Sequence, residues 1–67
     1  MVTVRLTCEE FYVDVRVRDF DGRFIASADT PGGPTLGLGI QAIDAIECAL
    51  RPFGGVIEEL LESLPGD

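Results

Sequence analysis

Sixty-seven residues with twelve acidic and five basic side chains carry a net charge of −7. That length makes one small domain, residues 1–67, near the lower limit at which a single core supports itself. The acidity argues against direct binding of duplex nucleic acid, which would face phosphate repulsion, and suits a basic protein partner instead.

Val2-Thr-Val-Arg-Leu6 alternates, with Val2, Val4 and Leu6 on one face, and reads as a first strand over about 2–7. Cys8-Glu9-Glu10 is a short connection, so the next strand pairs antiparallel with it. That second strand spans about 11–18, with Phe11, Val13, Val15 and Val17 on one face and Tyr12, Asp14, Arg16 and Arg18 on the other. Asp21-Gly22 is a strong hairpin signal, because tight primed turns need positive φ. A third strand follows over about 23–29, with Phe24, Ala26 and Ala28 inward and Arg23, Ile25, Ser27 and Asp29 outward.

The stretch Asp29-Thr-Pro-Gly-Gly-Pro34 reads as irregular, since two prolines and two glycines break ladders and helices alike. Thr35–Leu38 is a candidate fourth strand at the sheet edge. A helix is expected over about 40–51, beginning near Gly39. Ile40, Ile43, Ile46 and Leu50 form its buried stripe, with Ala42, Ala45 and Ala49 beside it. Gln41, Asp44, Glu47 and Arg51 face solvent, and Glu47 with Arg51 is spaced as an i,i+4 ion pair. Pro52 stops or kinks this helix, and Gly54-Gly55 separates it from a short amphipathic helix over about 56–63. The fold class is therefore α+β: a three- or four-stranded, mainly antiparallel sheet packed on one longer and one shorter helix.

No catalytic constellation is present. The chain has no His and no Lys, so Ser27, Ser63, Cys8 and Cys48 lack the usual activating bases. Zinc needs about four Cys/His ligands, so no metal or other cofactor is expected. Two cysteines allow one disulfide at most, and Cys48 reads as a small core residue. Gly32-Gly33 and Gly37-x-Gly39 hold only fragments of a dinucleotide fingerprint. The N-terminus runs straight into strand sequence, without a signal peptide or membrane span, and the default compartment is the cytoplasm.

Two surfaces stand out as candidates for binding a partner. The sheet's polar face collects Arg5, Tyr12, Arg16, Arg18 and Arg23, and Arg and Tyr are enriched at recognition surfaces. The alternative is an acidic helical face of Asp44, Glu47, Glu58, Glu59 and Glu62. Either edge strand of so small a domain also invites self-association into a homo-oligomer.

Asp21-Gly-Arg-Phe-Ile-Ala-Ser-Ala28, then Pro31-Gly-Gly33, Thr35-Leu-Gly37 and an Ala-containing helix resemble the HicB-like antitoxin family over roughly residues 11–50. The acidic pair that precedes the helix Ala in that family is absent, with Gln41-Ala42 standing near it. The resemblance implies a partial RNase-H-like ββ(β)α domain without nuclease carboxylates. It also implies a non-enzymatic module that occludes a partner, here a small basic RNA-targeting toxin. Family members usually carry a C-terminal DNA-binding domain, which is not expected within these 67 residues, so the part of the family's role that the resemblance carries over is protein sequestration. The alternatives are an accessory subunit of a larger enzyme, or a phage- or plasmid-encoded acidic inhibitor of a nucleic-acid-binding complex.

Overall fold

The alternating segments do form strands, and the structure is α+β. In the computed structural model, which describes residues 1–64, β1 (Val2–Thr7), β2 (Tyr12–Phe20), β3 (Arg23–Thr30) and β4 (Gly33–Gly39) make one antiparallel sheet in the order β1-β2-β3-β4. Two helices follow, α1 (Ala42–Ala49) and α2 (Ile57–Glu62), joined through a 3-10 segment, Arg51–Val56. Pro65-Gly66-Asp67 lies outside the described residues.

The turns explain the sheet's order. Asp21 and Gly22 both have positive φ, 54° and 77°, as a two-residue type I′ hairpin demands. Pro31-Gly32 is a second two-residue turn. The Thr30 hydroxyl donates to the Gly33 carbonyl (2.5 Å) and accepts from the Gly32 amide (3.2 Å). The segment read as irregular is therefore mostly strand: Thr30 ends β3, while Gly33 and Pro34 open β4. Proline is tolerated there because β4 is an edge strand whose outer side needs no partner.

One face of the sheet is dry. Leu6, Val13, Val15, Val17, Ala26 and Ala28 meet Ala45, Ile46, Ala49, Leu50 and Leu60 in a single core. Helix α1 packs on β3 and β4, while α2 reaches β1. Two glycines govern the α1 contact. A Cβ at Gly39 would fall 2.5 Å from the Cβ of Asp44, and one at Gly37 would overlap the backbone of Ala45 and Ala49. The helix thus rests directly on the backbone of β4. The Thr35 hydroxyl bonds the Ala49 carbonyl at 2.7 Å, which satisfies an acceptor at the helix C-terminus.

This close seating rotates α1 away from the expected stripe. The face that meets the sheet is Ala45, Ile46, Ala49 and Leu50; Ile43 is 39% exposed and Ile40 lies outside the helix, 78% exposed. Helix formation starts at Ala42 rather than near Gly39, since both glycines belong to β4. Gln41 is the N-cap residue, and its amide donates to Asp44 Oδ2 (3.3 Å). At the other end α1 stops at Ala49, and Arg51 sits in the 3-10 segment, so it makes no ion pair with Glu47 among the described residues. Phe11 is also displaced from expectation. It sits in the β1–β2 turn rather than the strand, and its ring stacks on Phe53 at 5.7 Å.

Candidate interaction surface

Strand register decides which residues share the uncovered face. Arg5 pairs with Asp14, Thr3 with Arg16, Arg16 with Ser27 and Arg18 with Ile25. Side chains alternate along each strand. Arg5, Tyr12, Arg16, Arg18 and Arg23 therefore all stand on the face opposite the helices, as the sequence suggests.

The structure splits that set in two. Arg5 is held by its cross-strand neighbour: Nε donates to Asp14 Oδ1 at 2.9 Å and Nη2 to Oδ2 at 3.3 Å. Its guanidinium also lies 4.1 Å from the centre of the Tyr12 ring, within cation–π range. Hydrogen bonding to Arg5 holds the Asp14 carboxyl below its ordinary value, and the same bond raises Arg5. Arg16 Nη2 reaches diagonally to Asp29 Oδ2 at 2.8 Å. Those arginines tie strands together, as opposed charges on a sheet face ordinarily do. Arg18 and Arg23 have no ion-pair partner among the described residues. They stand beside Ile25 and the exposed ring of Phe20, which is the β-partner of Arg23.

Two leucines belong to this face and were not among the expected binding residues. Leu36 and Leu38 are 73% and 63% exposed, opposite Ser27 and Ile25. Ordinary alternation would turn the leucines of Thr35-Leu-Gly-Leu-Gly39 inward. Here Thr35, Gly37 and Gly39 face α1 instead, because only they leave room for its backbone. The available signal was the pairing of large and absent side chains at alternate positions beside a helix rich in alanine.

The acidic residues do not form one cluster. Asp44 caps α1, and Glu59 Oε2 accepts the Glu9 amide at 2.8 Å, which anchors α2 to the β1–β2 turn. Glu47, Glu58 and Glu62 are exposed and unpaired among the described residues. No three His, Cys, Asp or Glu side chains of the described residues converge as a metal site. Cys8 and Cys48 are both free thiols, half-buried. Ser63 is structural: its Oγ accepts the Thr7 amide at 2.9 Å and donates to the Leu60 carbonyl at 2.7 Å. Gly37 and Gly39 face the backbone of α1. No helix of the described residues is long and apolar enough to cross a membrane.

No protein-family model matches the chain, and no curated protein or solved structure is detectably similar to it.

Proposed function

We propose that this chain is a non-enzymatic protein-binding module of antitoxin type, which occludes the functional surface of a partner by laying its open sheet face against it. The observation that carries the reading is a sheet face left uncovered by both helices. On it Arg18 and Arg23 lack ion-pair partners among the described residues and stand beside exposed Phe20 and half-buried Ile25. Arginine next to apolar and aromatic surface is the composition of interface anchors, where burial of a few residues supplies most of the affinity. The HicB-like pattern in residues 11–50 supports a small basic RNA-targeting toxin as the partner. The chain's net charge of −7 would draw in such a protein over long range, through unpaired carboxylates such as Glu47, Glu58 and Glu62.

The test begins with a tagged chain used to retrieve its partner, followed by binding kinetics. Arg18→Ala and Arg23→Ala are expected to raise the dissociation rate, and Tyr12→Ala to do so less, since Tyr12 is already engaged by Arg5. Charge reversal at Glu58 and Glu62 is expected to slow association and flatten its salt dependence. An unchanged dissociation rate in the Arg18→Ala, Arg23→Ala double variant would defeat the sheet-face reading.

A further inference from the structure

The two edges of the sheet are treated differently. At its exit end, β1 is closed by α2: the Thr7 amide is taken by Ser63 Oγ, and the Glu9 amide just beyond it by Glu59. On the opposite edge, β4 has α1 on its face but no element of the described residues alongside it. We propose that β4 pairs antiparallel with β4 of a second copy, joining two four-stranded sheets into one continuous sheet about a two-fold axis.

Charge points to this occupant. Exposed edge strands are ordinarily protected by charged side chains, bulges or proline, because their free backbone groups recruit other strands. Here no residue from Thr30 to Ile43 is charged, and Pro34 guards only the start of β4. Two copies, each at −7, repel one another over most of their surface. The uncharged strip is where like-charged copies approach with least cost.

The strand is also complementary to itself, as an isologous contact requires. A register centred on Gly37 sets Leu36 opposite Leu38 of the second copy, and the reverse contact follows by symmetry. Both leucines project from the open face and are largely exposed in the single chain. Pairing would cover them with each other, giving the apolar burial that a lone edge strand lacks. On the helix side the same register opposes Thr35 with Gly39, so no bulky side chain obstructs the approach. Beside this edge runs a groove lined by Leu38, Asp44, Glu47, Cys48, Arg51 and Ile57. Glu47 and Arg51 both lack ion-pair partners among the described residues, so each copy offers an acid and a base to the same features of the other. This contact uses the strand edge and is independent of any partner held through Arg18 and Arg23.

Analytical ultracentrifugation over a wide concentration range tests it, together with hydrogen exchange on the wild-type chain. The sedimenting mass should rise from one chain to two. Over the same range the amides of Leu36 and Leu38, which alternate with the amides bonded to β3 and point to the free edge, should become protected while those of β1 stay unchanged. Leu36→Lys combined with Leu38→Lys should abolish the doubled mass while leaving the far-UV circular dichroism of the single chain intact. A strict monomer throughout would overturn the proposal. So would association that survives the double substitution, or protection that grows at β1 instead of β4. The exchange measurement uses unaltered protein, so the outcome does not depend on the variant folding.

Discussion

Gly37 lies directly under Ala45: a side-chain carbon at Gly37 would occupy the space of the Ala45 carbonyl oxygen and would also come 2.9 Å from Cys48 Cβ. Backbone-to-backbone seating of a helix on an edge strand brings eleven residues, four of them alanine, together in one core. It also leaves no slack, since neither backbone can move without dragging its element.

Gly37→Ala should therefore be among the most damaging single-methyl additions in the chain. Overpacking a core typically costs ~1–3 kcal/mol and sometimes more, and a clash with two backbone groups belongs at the upper end. Gly32→Ala is the matched control, because a methyl there meets only Thr30 Oγ1 at 3.8 Å. Urea denaturation of both variants checks the contrast. Equal midpoints would mean that α1 does not sit on β4 as described.

Legibility in the sequence followed the same division. Val13, Val15 and Val17 alternate with charged neighbours, so period two alone assigns their face, and Asp21-Gly22 fixes the β2–β3 register. The arginine face followed directly from that register. Two things resisted. In β4 the usual logic inverts, with leucine outward and glycine inward, because the requirement comes from a helix backbone that no local pattern announces. In α1 the isoleucine spacing marks one stripe, but the glycines draw in the alanine side, and the helix turns until Ile43 is on the rim. Ion pairing was half visible. Arg5 opposite Asp14 can be read from the register, whereas Arg16 reaching Asp29 depends on side-chain geometry.

That rotation changes what charge substitution should do in the core. Val15 is fully buried, so Val15→Asp strands an unpaired carboxylate in the sheet–helix layer and should unfold the domain. Ile43→Asp should be mild, within about 1 kcal/mol, because the site is partly exposed and lies in the first turn of α1, where negative charge is favoured. Circular dichroism melts of the two variants decide between the observed helix orientation and the isoleucine stripe. Comparable unfolding in both would favour the stripe.

The Arg5–Asp14 bond sets an acid dependence whose sign is fixed. Asp14 is held below its ordinary value near 3.8 by the hydrogen bond from Arg5. A carboxyl depressed in the folded state contributes stability that is fully present above its unfolded pKa. That contribution fades as pH falls through the lower, folded value. The gap in melting temperature between wild type and Asp14→Asn should thus be constant near neutrality, narrow below about pH 4, and shrink with added salt because the pair is exposed. A gap that widens on acidification would contradict the assignment of Arg5 as the partner.

Thr35 offers a separate reading of how α1 is held. Its hydroxyl, half-buried on the helix side of β4, donates to the Ala49 carbonyl at the end of α1, and a longer contact of 3.4 Å reaches the Ala28 carbonyl. Thr35→Val keeps the volume and the β-branch but leaves Ala49 with one partner fewer in a dry place, at a cost of about 1–2 kcal/mol. Thr35→Ser keeps the hydroxyl and gives up a methyl. Strand propensity alone ranks valine above serine at this position, so the two explanations predict opposite orders. Denaturant titrations should place the serine variant above the valine variant in stability. Amide exchange in the 3-10 segment just after α1 should also quicken only in Thr35→Val, because the freed carbonyl loosens that end of the helix. Valine equal to or above serine would show that shape, rather than the hydroxyl, seats the helix on the edge strand.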